Sequence, residues 1–148
     1  MLSALAQRSK AHWDYDQEFL DRIRDSMRLT PSQIEQDDVW MLESDGVPLG
    51  YHRLVIGEPA ELEDLWVDPP HIGSGVGRRL FEHATSVARA AGASAIELDA
   101  DPNAVGFYER MGAVTVGATA STIIPGRSLP RLRLELSGAE SARARIGR

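Results

Sequence analysis

The spacing of apolar and polar residues divides the chain into short amphipathic helices and strands. An apolar stripe at helical spacing predicts a helix over residues 16–27, and a shorter helix is predicted over residues 2–10. The segment Thr30-Pro31-Ser32-Gln33 has the capping-box pattern with proline at the first helical position. A third helix should therefore begin there.

Alternating apolar positions predict three strands, over residues 39–43, 49–56 and 61–67, of which the first two are joined by a hairpin turn at Asp45-Gly46. A long amphipathic helix over residues 75–91, stopped by Gly92, and a strand over residues 94–100 follow. A strand, a helix and a second strand in this order form a parallel pair with a right-handed crossover.

The last third of the chain predicts one more helix and two more strands. Asp101-Pro102-Asn103 has an aspartate cap followed by proline, and the helix that it starts should end at Gly112. The final strands are predicted over residues 114–120 and 131–136. We therefore expect an α/β (α+β) fold, in which a mixed, mostly antiparallel sheet has flanking helices. Residues 1–137 should form this single domain, and residues 138–148 a flexible basic tail.

Composition narrows the class of protein. The 148 residues suffice for one domain, and no apolar run or leader predicts a membrane or secreted protein, so a cytoplasmic location is expected. The absence of cysteine excludes disulfides, thiolate metal sites and a cysteine nucleophile. The net charge is -6, which argues against a nucleic-acid partner, and Lys10 is the single lysine among 16 basic residues.

A glycine-rich segment, Ile72-Gly73-Ser74-Gly75-Val76-Gly77-Arg78, links the third predicted strand to the long helix. Its alternate glycines allow a sharp turn that leaves backbone N–H groups bare at a helix N-terminus, where the dipole favours anions. A phosphate or pyrophosphate site is predicted, although a purely structural turn has the same pattern. No Gly-Lys-Ser/Thr follows, and Arg78 replaces the third glycine of a dinucleotide fingerprint, so both nucleotide motifs are excluded.

Two ordered motifs within residues 39–136 resemble the GNAT superfamily, whose members transfer an acyl group from acyl-coenzyme A to an amine. The family pattern Gln/Arg-x-x-Gly-x-Gly/Ala falls on Ile72, Gly75 and Gly77, and Ile72 departs from it. That departure removes a polar side chain from the pyrophosphate site and leaves a backbone cradle. Arg8-Ser9-Lys10-Ala11-His12-Trp13 and Pro125-Gly126-Arg127 are similar to segments of a bacterial subgroup.

The second motif, Asn-x-x-Ala-x-x-Phe/Tyr-Tyr, falls on Asp101, Ala104, Phe107 and Tyr108. Asp101 departs from it and presents charge where an amide would contact the cofactor arm. The resemblance implies a parallel strand pair that splays to admit acetyl-CoA, with no metal. It also implies a set of cofactor-binding residues: Leu65, Trp66, Val67, Ile72, Gly73, Ser74, Gly75, Val76, Gly77, Arg78, Asp101, Asn103, Phe107 and Tyr108.

The resemblance implies catalytic roles for Tyr108 as general acid and Glu61 as general base. The alternative for Tyr108 is core packing with a hydrogen-bonded hydroxyl. Glu63 should share a face with Glu61 and Asp64 should point the other way, because strand side chains alternate. The alternative for Glu61 is a solvated strand edge, with a water chain as the base.

The expected function is direct acetyl transfer from acetyl-CoA to a small-molecule or peptide amine. The alternative is a non-catalytic coenzyme A-binding regulatory module on the same fold. His12, Trp13 and Tyr15 either line the acceptor site or pack on the core. Relatives usually begin with a strand that is missing here, unless the true start lies upstream. The sheet edge left exposed would allow a homodimer.

Overall fold

The computed structural model describes residues 1–136, so the predicted tail at 138–148 lies outside the described residues. The helices and strands are α1 (Leu2–Ala11), α2 (Gln17–Ile23), α3 (Pro31–Gln36), β1 (Asp38–Ser44), β2 (Val47–Val55), β3 (Ala60–Val67), α4 (Val76–Ala90), β4 (Ala95–Asp99), α5 (Val105–Arg110), β5 (Val114–Ala120) and β6 (Ser128–Glu135). No helix in this part of the chain is long and apolar enough to cross a membrane.

The strands form one mixed sheet in the order β1-β2-β3-β4-β6-β5. β3 and β4 run parallel, and every other neighbouring pair is antiparallel. The parallel pair is joined only at Ala60 opposite Ile96 and at Glu61 opposite Glu97. β3 continues to Val67 paired with β2 alone, so β3 and β4 part after Glu61. The predicted mixed sheet and its splayed parallel pair are confirmed.

Helices cover both faces of the sheet. On one face α4 buries Phe81, Ala84 and Ala88 against a core that includes Leu54 and Leu62. Burying a side chain as large as Phe81 stabilises the fold by about 1.5–3 kcal/mol. On the opposite face α1 packs Leu5 and Ala6 against Tyr51 of β2.

β2 also approaches α4 closely at one glycine. A Cβ atom at Gly50 would lie 2.7 Å from the backbone oxygen of Trp66 and 2.8 Å from a side-chain carbon of Leu80. Glycine is required here because any side chain would push the first turns of α4 away from the sheet. This contact fixes the start of α4 beside the end of β3.

Local capping signals are confirmed, whereas the length of one helix was predicted wrongly. Thr30 and Gln33 form the predicted capping box, and Asp16 caps α2 by accepting from the N–H of Phe19 at 2.8 Å. The helix predicted over residues 16–27 ends at Ile23, and a 3-10 turn follows over Asp25–Met27. Ser26 Oγ donates to the Ile23 carbonyl at 2.7 Å and replaces a helical N–H donor there.

The helix predicted to start at Asp101 begins later. The Asp101 carboxylate accepts from the N–H of Asn103 as predicted for a cap, but Pro102–Ala104 forms a 3-10 turn and α5 starts at Val105. The last strand begins at Ser128, ahead of the predicted residue 131.

A β-bulge in β3 overturns the predicted direction of Asp64. Arg53 pairs with Asp64 and Leu54 with Leu62, so Glu63 is an extra residue without an opposite partner. The extra residue shifts the alternation by one position. Asp64 consequently lies on the α1 face with Arg53, which its carboxylate contacts at 2.7 Å.

Candidate active site

The glycine loop turns β3 into α4 at the end of the sheet where β3 and β4 have parted. Gly73 and Gly75 have φ of 86° and 91°, a left-handed backbone that favours glycine, and Gly75 is the N-cap of α4. No side chain caps this helix end. The N–H groups of the first turn therefore have no side-chain acceptor, and the anion site there stays a prediction.

The neighbours of the loop modify two expectations about it. Gly77 faces Phe107 of α5, since a Cβ there would lie 3.4 Å from the Phe107 ring, so this glycine serves the packing of α4 against α5. Arg78 donates to Glu82 at 2.8 Å on the exposed surface. Such a surface pair contributes only about 0.3–0.5 kcal/mol, so it does not exclude the cofactor-binding role that the resemblance implies for Arg78.

Between the loop and the point of separation, β3 presents backbone groups that have no strand partner on the β4 side. Leu65, Trp66 and Val67 belong to this segment. Leu65 packs against the α4 core, and Trp66 packs against the cluster of Tyr51 with α1. Their side chains are therefore structural, and their backbone lines an opening suited to an extended, hydrogen-bonding ligand.

Tyr108 lies beside this opening on α5. Its ring is buried against Phe81 and Phe107, with ring centroids 5.5 Å and 5.0 Å away. Burial raises the pKa of Tyr108, and the charges of Asp101 and Asp64 raise it further. Among residues 1–136 the hydroxyl has no hydrogen-bond partner. The Tyr108 hydroxyl is thus protonated at neutral pH and lies in the field of two carboxylates.

The carboxylates of β3 differ in their partners. Arg131 donates to both oxygens of Glu61, at 2.6 Å and 2.5 Å, and to Asp99 at 3.1 Å. Glu63 has no cation within salt-bridge distance in the part of the chain that the structure describes. Partial burial raises the pKa of Glu63, and the nearby charge of Glu61 adds to that effect.

A buried ion pair that the sequence did not predict joins Lys10 of α1 to Asp101 at the end of β4. Their side chains are only 7% and 12% exposed. Tyr15 donates to the same carboxylate at 2.9 Å, and Asn103 donates to it at 3.0 Å. The charge expected at Asp101 is therefore present but neutralised by Lys10. The one available signal was a single lysine in a chain that otherwise uses arginine.

The same cluster includes Arg127, which lies in the loop between β5 and β6. Tyr15 and Phe19 stack at 4.3 Å between centroids. Lys10 Nζ lies 4.7 Å from the Tyr15 ring, and the Arg127 guanidinium lies 4.8 Å from the Phe19 ring. Arg127 also donates to the Tyr15 hydroxyl at 3.2 Å. Tyr15 thus belongs to this cluster, whereas His12 contacts Trp13 and lies exposed.

Two histidines that are scattered in the sequence meet between β2 and α4. His52 Nε2 and His83 Nδ1 are 2.9 Å apart, and burial lowers the pKa of His52 to about 4. His52 is therefore neutral at physiological pH. In the described residues no group of three or more metal-ligating side chains comes together.

Comparison with known proteins places these features in a family. The model of the acetyltransferase (GNAT) family matches residues 5–113. Peptidyl-lysine N-acetyltransferase YjaB of Escherichia coli K12 is 30% identical over 123 residues, which are 82% of this chain and 78% of that protein. YjaB of Salmonella typhimurium LT2 is 32% identical over 97 residues, which are 65% of this chain. The chain spans 63% of the Salmonella protein, less than two thirds of its length.

Solved structures share the fold. A GCN5-related N-acetyltransferase from Rhodopseudomonas palustris has a TM-score of 0.78 at 23% identity, with 91% of this chain and 88% of that chain covered. The PaiA N-acetyltransferase of Thermoplasma acidophilum, solved in complex with coenzyme A, has a TM-score of 0.73 at 18% identity and 91% coverage of both chains.

The Lys10–Asp101 pair makes a testable prediction for stability. Asp101→Asn should lower the free energy of unfolding by about 3 kcal/mol, because it leaves the Lys10 ammonium buried without an anion. The double variant Lys10→Met/Asp101→Asn removes both charges and should regain most of that loss. Urea denaturation of the two single variants and the double variant gives the coupling energy.

The exposed pair Arg78–Glu82 is the matched control for this cycle. Its side chains are 72% and 56% exposed, so the cycle of Arg78→Met and Glu82→Gln should give a coupling below about 1 kcal/mol. An equally small coupling for Lys10 and Asp101 would contradict the structural role assigned to the buried pair.

Proposed function

Because the chain belongs to the GNAT family of acetyltransferases, we propose that it transfers the acetyl group of acetyl-CoA directly to a primary amine. The observation that carries the proposal is the opening between β3 and β4, which has the uncapped start of α4 at one end and Tyr108 beside it. An extended thioester with a pyrophosphate fits this arrangement of bare backbone groups. The complex of PaiA with coenzyme A supports the same choice of co-substrate.

Each part of the opening has one task. Acetyl-CoA supplies a thioester whose carbonyl the amine attacks and whose sulfur leaves. The first turn of α4, behind Gly73 and Gly75, holds the pyrophosphate. The unpaired backbone of residues 65–67 orients the pantetheine arm and the carbonyl. Tyr108 donates its proton to the leaving sulfur.

We propose that Glu61 and Glu63 act together as the base that accepts the proton of the amine. Arg131 donates to both oxygens of Glu61, so protonation of that carboxylate would weaken the ion pair. Glu63 has free oxygens and a pKa raised by partial burial and by the charge of Glu61. Arg53 opposes this shift, and Asp64 and Asp99 add to it. Glu63 thus accepts the proton of the amine, and the charge of Glu61 helps to keep the pKa of Glu63 raised.

The acceptor is proposed to be a primary amine of a small molecule or a peptide, and the peptidyl-lysine activity named for the YjaB relatives supports including peptide lysine among the candidates. The carboxylates on the α1 face favour a cationic group. The non-catalytic alternative is now supported only by the departure at Ile72, because Lys10 neutralises the charge at Asp101.

Calorimetry with acetyl-CoA, followed by thiol release with a panel of amines and lysine peptides, tests the proposed function. The native chain should bind acetyl-CoA and release thiol with at least one amine class. Gly75→Val should abolish binding, since valine at a φ of 91° would distort the start of α4. The control Gly117→Val lies on exposed β5 with open space around it and should bind normally. Binding without turnover on any amine would favour the regulatory module. No binding of acetyl-CoA would contradict both the acetyltransferase and the regulatory module.

Tyr108→Phe should lower kcat by about 100-fold while acetyl-CoA affinity stays close to that of the native chain, because only the donated proton is lost. The raised pKa of Tyr108 keeps it protonated, so native activity should not fall from its ionisation up to about pH 10. Tyr51→Phe is the control, since it removes another buried hydroxyl that lacks a hydrogen-bond partner. Equal kcat for the native chain and Tyr108→Phe across the pH range would refute the acid role.

The pH profile of kcat/KM separates the two glutamates. Glu63→Gln should lower kcat/KM by about 100-fold, because the proton acceptor is gone. Glu61→Gln removes a like charge, so the pKa of Glu63 should fall and activity should persist to lower pH than in the native chain. A large loss with Glu61→Gln and none with Glu63→Gln would return the base role to Glu61.

A further inference from the structure

Lys10 is the one buried amine of the described chain, and the proposed transfer reaction leaves it without a chemical role. Resting on the proposed function, we propose that Lys10 is itself an acetylation site, whose Nζ takes the acetyl group of bound acetyl-CoA when no external amine is present.

Position is the first argument. α1 carries the Lys10 ammonium to the carboxylate of Asp101, which follows β4 beyond its last residue paired with β3. Asp101 is also the first of the two carboxylates whose charge acts on Tyr108. The Lys10 amine therefore contacts the same carboxylate whose charge acts on the proposed proton donor to sulfur.

Reactivity is the second argument. Burial lowers the pKa of Lys10, and the hydrogen bond and charge of Asp101 offset this only in part. A larger fraction of this amine is consequently neutral than of an exposed lysine. Lys10 also lines a cavity of about 150 Å³ between α1 and α2, so packing around its side chain is incomplete on that side.

The transfer balances with groups already present. The bond from Nζ to the acetyl carbon forms, and the bond from that carbon to sulfur breaks. Two protons leave the Lys10 ammonium, one to solvent by way of Asp101 and Tyr15, whereas the other replaces the proton that Tyr108 gives to the departing thiolate. The products are acetyl-lysine, coenzyme A thiol and one released proton. No oxidant, metal or further reactant is needed.

Acetylation would also break the Lys10–Asp101 ion pair, around which Tyr15 and Asn103 are arranged. The Asp101 carboxylate would keep its bonds from Tyr15 and Asn103 but lose its cation. The modified chain should therefore unfold at a lower temperature than the unmodified chain.

The test is mass spectrometry of the full chain incubated with acetyl-CoA alone. Only two amines can react, the N-terminal amine and Lys10. Met1 is 78% exposed and Lys10 is 6% exposed, so uncatalysed chemistry must favour the N-terminus. Peptide mapping over time should instead show Lys10 acetylated at least tenfold faster than the N-terminus. Gly75→Val and Tyr108→Phe should each remove that preference, while acetylation of the N-terminus stays unchanged.

An unmodified Lys10, or one modified at the same rate in the native chain and both variants, overturns the inference. The amine panel run on the same preparation decides whether the proposed function falls with it. Thiol release with an external amine and no acetyl-Lys10 overturns this inference alone, whereas no acetyl-CoA binding overturns both.

Discussion

Only two residue pairs join β3 to β4, so the rest of β3 has no strand partner on that side. A sheet opened in its middle exposes backbone groups that an intact sheet would satisfy. The opening persists because each strand is held elsewhere: β3 by its ladder with β2, and β4 by its ladder with β6. α4 packs on one face of β3 and α1 on the other. The functional opening is therefore a property of the packing around it.

Two like charges meet where the strands part, and one arginine contacts both of them. Glu61 and Glu97 lie opposite each other in the last paired position, where like charges on neighbouring strands repel. Arg131 of β6 bonds both carboxylates and ties three strands together at that position. Glu63, two residues further on, is the extra residue of the bulge. Its partial burial and the charge of Glu61 raise its pKa.

Much of the fold could be predicted because its signals are local. The capping box at Thr30, the glycine loop and the cap at Asp101 each lie within a few residues, and their backbone consequences follow from sequence spacing. The contacts that define the site chemistry are long-range instead. Arg131 is 70 residues from Glu61, and Lys10 is 91 residues from Asp101. The bulge at Glu63 depends on the register with β2, and alternation within β3 alone predicted the wrong face for Asp64.

The opening has a different charge balance at each end. Toward β4, Lys10 pairs with the charge of Asp101, whereas toward β3 the carboxylate of Glu63 lies in the field of Glu61 and Asp64. Burial and the charges of Asp101 and Asp64 all raise the pKa of Tyr108 and so hold its proton in place. Proton transfer from such a phenol to a free thiolate is unfavourable, because a thiol has a lower pKa than a phenol. In the proposed reaction the transfer must therefore coincide with cleavage of the carbon–sulfur bond, while the carboxylates that restrain the proton also favour an ammonium as the incoming group.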